Sequence, residues 1–138
     1  MLTENDVVSA LCAYLESRSW KIISRAHTSQ HGDDIVAEHE GKRLLIEAKG
    51  GTSSRAGSKR FGQPFHGLQA QHHVAEAVYK ALKLLSESPD TLVAIALPDN
   101  KSHRTHVERV EPALERLGIG AFWVSEDGNV KVWGFRGL

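Results

Sequence analysis

The chain has 138 residues, 41% of them hydrophobic. That is long enough for one domain with a sizeable core and too apolar for a disordered segment. Lys plus Arg balances Asp plus Glu at 17 each, for a net charge of zero, which neither supports nor excludes nucleic-acid binding because a local basic surface can serve a neutral protein. Cys12 is the single cysteine, so an intrachain disulfide and a cysteine metal cluster are excluded.

Thr3-Glu4-Asn5-Asp6 reads as a helix start, an N-cap followed three positions later by an acid. Val7, Val8, Leu11, Cys12 and Leu15 then form one apolar stripe, which predicts a helix to about Ser17 with Cys12 as a core thiol. Trp20 to Ser24 reads as a short strand, and 27–33 as a polar turn. A hairpin follows, turning at Glu40-Gly41. The stretch from Gly50 to Pro64 is long for a connection, and loops of that length are commonly functional. A second helix is expected over about His66 to Ser86, with Gln71, Ala75, Val78, Leu82 and Leu85 on its buried face. Thr91 to Leu97 is almost wholly apolar and predicts an inner strand. After a turn at Asp99-Asn100, a helix is expected from about Ser102 to Leu117, kinked at Pro112. Ile119 to Val124 and Asn129 to Phe135 complete the pattern as strands joined at Asp127-Gly128. The order α-β-β-β-α-β-α-β-β predicts an α/β fold, a mixed sheet flanked by helices in a single domain over 1–138. No apolar run is long enough to cross a bilayer and no leader pattern opens the chain, so a cytoplasmic location is expected.

The hairpin concentrates the chemistry. With the turn at Glu40-Gly41, Glu38 faces Arg43, Val36 faces Leu45 and Asp34 faces Glu47. Directly opposed strand residues bring their Cβ atoms to roughly 4.5–5.5 Å. Lys49 lies on the same face as Glu47, two residues on. Two carboxylates that close repel unless a cation sits between them, and with an ammonium alongside they suit a divalent-metal site that cleaves a phosphodiester. The same spacing also fits a solvated strand face with Asp34 capping a turn. Against that, Leu44, Leu45, Ile46 and Ala48 make the second strand apolar enough to be central. Asp33 competes with Asp34, and a one-residue register shift would exchange them.

The residues Gly32-Asp33-Asp34-Ile35-Val36-Ala37 and Ile46-Glu47-Ala48-Lys49-Gly50 resemble the D…(D/E)xK signature of the PD-(D/E)xK nuclease superfamily, with its restriction-endonuclease-like fold. The likeness is to small members such as Holliday-junction resolvases and Mrr-like endonucleases. The motif covers 32–50, and the order of elements extends the resemblance along most of the chain. It implies a metal-dependent endonuclease acting on DNA, with Mg²⁺ (Mn²⁺ substituting) held by Asp34, Glu47 and the Ala48 carbonyl, and Lys49 positioning the attacking water. Superfamily members often carry an acid on the first helix, and Glu4 lies on the inward stripe. Its other reading is a charge placed at the helix N-terminus. RecB-type relatives use a Gln with an aromatic residue four positions on. Here Gln71 precedes Ala75 and Gln69 precedes His73, so the pattern is broken, although Gln71 stays a catalytic candidate.

From Ala48 to Ala75 there is no acid. Arg55, Lys59, Arg60, Gln69 and His72 are therefore candidates to hold nucleic-acid phosphates, and His31 and His66 flank the site. His72-His73 and the pair His103 and His106 show no zinc spacing, and most of the histidines read as surface residues. An alternative function is a non-catalytic nucleic-acid-binding module, or a subunit recruited by a partner. A double-strand cut needs two sites, so a homodimer or a recruiting partner protein is expected, with Val130 to Leu138 as the candidate interface if it is not packed on its own core.

Overall fold

The structure is a computed structural model and describes residues 2–25, 34–51 and 67–135. Helix α1 (Glu4–Ser17) starts at the expected cap. The Thr3 hydroxyl accepts from the Asp6 amide at 3.1 Å, and the Asp6 carboxylate accepts from the Thr3 amide at 2.9 Å. This reciprocal pair satisfies two amides that a helix start leaves open. The predicted stripe, Cys12 included, is buried.

Strand β1 (Lys21–Arg25) follows, with Trp20 in the core just before it. Strands β2 (Ile35–His39) and β3 (Lys42–Ala48) form the expected hairpin. Glu40 and Gly41 have φ of 49° and 80°, which matches the twist of the flanking strands in a two-residue turn. The register pairs Val36 with Leu45 and Glu38 with Arg43, as the alternation predicts. Helix α2 (Gly67–Glu87) leads to β4 (Leu92–Pro98), then α3 (Lys101–Glu108), α4 (Glu111–Leu117), β5 (Gly120–Val124) and β6 (Val130–Trp133).

The described strands form one six-stranded sheet in the order β1-β2-β3-β4-β5-β6. The helical crossovers make β3, β4 and β5 parallel, and the outer pairs β1–β2, β2–β3 and β5–β6 are antiparallel. Helix α1 packs on one face over Leu44, Ile46, Ala94, Ala96 and Phe122. Helices α2, α3 and α4 cover the other over Val93, Ile95, Leu97, Ala121 and Trp123. Both faces of β3 and β4 are thus covered, and nearly every residue of these strands is buried, the condition of central parallel strands. No helix among the described residues is long and apolar enough to cross a membrane.

Three expectations are corrected. The helix foreseen over 102–117 is two helices, broken at Arg109-Val110. Pro112 lies in the first turn of α4, where its missing N–H would have had no helical partner, so the break precedes the proline and no kink forms at it. The buried face of α2 consists of Ala70, Val74, Ala77 and Ala81, while Gln71, Ala75 and Leu82 are exposed. Small side chains let the helix settle close to the sheet, and the bulkier Val78 and Leu85 are only partly buried at its flank. Among the histidines, most of which are expected at the surface, His103 is buried. Its Nδ1 meets the Asn100 carboxamide oxygen at 2.8 Å, the same atom that caps α3 through the His103 amide. Burial, then His73 and His106, push its imidazole down to about 4.

At the other end of the chain, the Phe135 ring lies 5.7 Å from that of Phe122 and against Gly120, where any Cβ would overlap it. This part of the C-terminal stretch packs on its own core, and 136–138 lie outside the described residues.

Candidate active site

In open α/β sheets, ligands collect beyond the carboxyl ends of the parallel strands. The carboxyl end of β3 is Glu47-Ala48, and the hairpin brings the start of β2, with Asp34 just before it, to the same end. Ile35, Ala37, Ile46 and Ala48 belong to the core under α1. By alternation, Asp34, Glu47 and Lys49 belong to the opposite face, toward α2.

Asp34 and Glu47 are both buried, at 8% and 2% exposure. The Asp34 carboxylate accepts the Ala48 amide at 2.8 Å. This bond exists because β2 ends its pairing at Ile35↔Ile46, leaving the Ala48 amide with no strand partner on that side; on the other side, the Lys49 amide bonds the Ala96 carbonyl of β4. The N–H and C=O of one strand residue leave on the same side, so the Ala48 carbonyl emerges beside Asp34.

Cations close the group. Lys49 Nζ lies 3.7 Å from Glu47 Oε1 and 3.3 Å from Glu76 Oε2. Lys80 Nζ lies 3.3 Å from the same Glu47 oxygen. Burial, then the Asp34 charge, push the Glu47 carboxyl up to about 7, against the opposing pull of Lys80 and Lys49. Glu4 opens α1 at this end of the sheet. Its carboxyl is held above the ordinary value by burial first and by Asp34 second, with Lys49 and Lys80 opposing. The backbone of Gly50 packs against the amide of Glu4 so closely that a Cβ there would overlap it, which fixes α1 to the end of β3.

The structure therefore brings Asp34, Glu47, Ala48 and Lys49 together, with Glu4 within electrostatic reach. It places Gln71 elsewhere, exposed on the side of α2 that faces His106 and lining a groove with Val74, Val78, Tyr79 and Leu82. The reason is the rotation of α2 set by its alanines. Gln69 is half-buried near the start of α2 and His72 is exposed. Arg55, Lys59 and Arg60 lie outside the described residues, as do Asp33, His31, His66, the polar turn and most of the stretch from Gly50 to Pro64.

Glu76 and Lys80 are the site residues that sequence reasoning missed. The signal was the small-residue row Ala70, Val74, Ala77, Ala81, spaced as a closely packed helix face, with Glu76 and Lys80 flanking it one turn apart. His73, half-buried on the same helix, has its imidazole held below the ordinary value by burial and then by Lys49.

Among the described residues, no three His, Cys, Asp or Glu side chains come close enough to cage a metal. Glu4 does not complete such a trio with Asp34 and Glu47. Two hard carboxylates suit Mg²⁺, which keeps several waters and needs only one or two protein acids. A groove of about 990 Å³ lies at the far end of the sheet, lined by Tyr14, Trp20, His39 and Phe122 among others, and holds none of this acid–base group.

Comparison with known proteins agrees with this architecture. Over 85 residues the chain is 26% identical to a UPF0102 protein of Aquifex aeolicus, a stretch covering 61% of this chain and 74% of that one. No protein-family model matches. Two solved structures share the fold. An fdxN element excision controlling factor protein from Anabaena variabilis aligns over 94% of this chain and 98% of its own, with a TM-score of 0.59 and 15% identity. An XisH family protein from Nostoc punctiforme aligns over 93% and 98%, with a TM-score of 0.55 and 15% identity. The mixed sheet flanked by helices is thus a known fold.

Proposed function

We propose that the chain is a metal-dependent endonuclease that hydrolyses DNA phosphodiester bonds. The observation that carries this reading is the Glu47 carboxylate, buried beside Asp34 at the open end of a central strand and met there by two ammonium groups. A core acid so placed is costly to keep charged unless a cation completes it. Asp34 and Glu47 would hold Mg²⁺, with the Ala48 carbonyl beside them. A cation held there would supply a nucleophilic water at neutral pH and offset charge on the scissile phosphate.

The chain's own residues do the rest. The Ala48 amide fixes the Asp34 carboxylate in one orientation. Glu76 and Glu47 together hold the Lys49 ammonium in the wall of the site, where it positions the attacking water and stabilises the charge that develops on phosphorus oxygens. Glu4 would add negative potential at the same end. A cut through both strands would pair two copies of the site, in a homodimer or through a partner protein.

Nicking of supercoiled plasmid tests the reading. The protein should nick with Mg²⁺ and not with chelator, and Glu47→Ala should abolish nicking while the fold melts cooperatively. Plasmid left intact, or nicking that survives Glu47→Ala, would overturn it. Retention of DNA binding without nicking would favour the non-catalytic alternative.

A further inference from the structure

Lys80 occupies an unusual position for a surface lysine. Its side chain is 52% exposed, yet its ammonium reaches a carboxylate that is 3% exposed, at 3.3 Å. Lys49 differs. Its side chain is only 12% exposed and it shares a second carboxylate, Glu76, at 3.3 Å. Lys49 is therefore held from two sides in the wall of the site, whereas Lys80 enters from solvent on a flexible four-carbon stem and stands in the mouth.

We infer that Lys80 is a phosphate-binding residue that rests on Glu47 in the free protein and is handed to the DNA backbone when a divalent cation takes that carboxylate. The inference rests on the metal-site reading above. An ammonium at this distance uses the same oxygen that a hard cation would use. A dication and an ammonium on one oxygen repel strongly in a partly buried setting, and the less tightly held lysine gives way. The nearest new anion at the mouth is then the phosphodiester itself, which a point charge on a long stem binds without fixed geometry. Lys80 thus keeps the buried acids neutralised while the site is empty and adds a backbone contact when it is loaded.

Lys80→Met, which keeps most of the stem and removes the charge, separates the two halves of the inference, with Lys80→Arg as the conservative control. Mn²⁺ affinity is read by calorimetry without DNA at mildly alkaline pH. DNA affinity is read by fluorescence anisotropy in Ca²⁺ over a range of salt. Lys80→Met should bind Mn²⁺ several-fold more tightly, because a competing cation is gone. It should bind DNA more weakly, with a salt slope lower by about one, while Lys80→Arg keeps the wild-type slope. A purely structural lysine would not move these two affinities in opposite directions. An unchanged or weakened Mn²⁺ affinity, or an unchanged slope, would overturn the inference. Failure of the wild-type protein to bind Mn²⁺ would instead remove the metal-site reading and this one with it.

Discussion

Glu47 is the residue on which the chemistry turns, and its titration offers a first check. Its folded carboxyl is raised from 4.5 to about 7. Between those values the folded protein keeps a proton that the unfolded chain has released, so the metal-free protein loses stability as pH rises through that window. Thermal melts in chelator should show Glu47→Gln gaining on the wild type as pH rises from about 5 to 8, with the difference levelling off above the folded value. A difference that does not change with pH would contradict the raised carboxyl. On the proposed reading, the same proton would compete with metal. Mn²⁺ affinity measured by calorimetry should climb up to about tenfold per pH unit below neutrality and flatten above it. Lys49 separates binding from turnover. Lys49→Ala should lower kcat about 100-fold or more, as loss of a group that stabilises transition-state charge does, while Mn²⁺ affinity changes by only a few-fold. Equal losses in both would make Lys49 a structural partner of Glu47 and Glu76 instead.

At the scale of elements, the hairpin and the helix after it show what a sequence reveals and what it hides. The β2–β3 register was legible because both of its determinants are local: a two-residue turn at Glu40-Gly41 and strict alternation on either side. That local pattern was sufficient to set Asp34 and Glu47 on one face. The face of α2 was not legible in the same way. Val78, Leu82 and Leu85 suggested one stripe, but the helix presses its alanines to the sheet, because close approach buries more strand surface than a bulky stripe would. Glu76 and Lys80 reach the site only through that docking, which within α2 only the small-residue row Ala70, Val74, Ala77 and Ala81 foreshadows. The division between α3 and α4 was hidden for a related reason: the apolar period runs through Val107, Val110 and Leu114 without a gap, and only the chain's path at Arg109-Val110 interrupts it. Buried His103 was likewise decided by how α3 packs, with Arg104 pinned over Trp123 at 4.4 Å and paired to Asp99 at 2.7 Å. The joint between elements that matters most for the site is Gly50. Gly50→Ala would force a methyl group into the backbone of Glu4, so it should cost about 1–3 kcal/mol in chemical denaturation and weaken Mn²⁺ binding by displacing Ala48 and Lys49. Wild-type stability in that variant would show that α1 and the end of β3 are not held as tightly as the structure has them.

For the molecule as a whole, a sheet covered on both faces leaves its ends for chemistry, and one end gathers Asp34, Glu47, Lys49, Lys80 and Glu4. The opposing titrations of this end and of α3 shape its pH response. His103, with its imidazole pushed to about 4, penalises the folded state as pH falls below the ordinary histidine value near 6.5 and does so fully near 4. His103→Gln should therefore gain on the wild type in acid, the reverse of Glu47→Gln, and acid melts of the two variants side by side will show whether the limbs are separable. The claim beneath all of this is that Asp34 and Glu47 share a divalent cation. Anomalous diffraction from a crystal soaked in Mn²⁺ tests it most directly. A peak is expected within ligand distance of both carboxylates and the Ala48 carbonyl, with the Lys80 ammonium withdrawn from Glu47. A map with no peak there, and Lys80 still seated on the glutamate at saturating Mn²⁺, would contradict it.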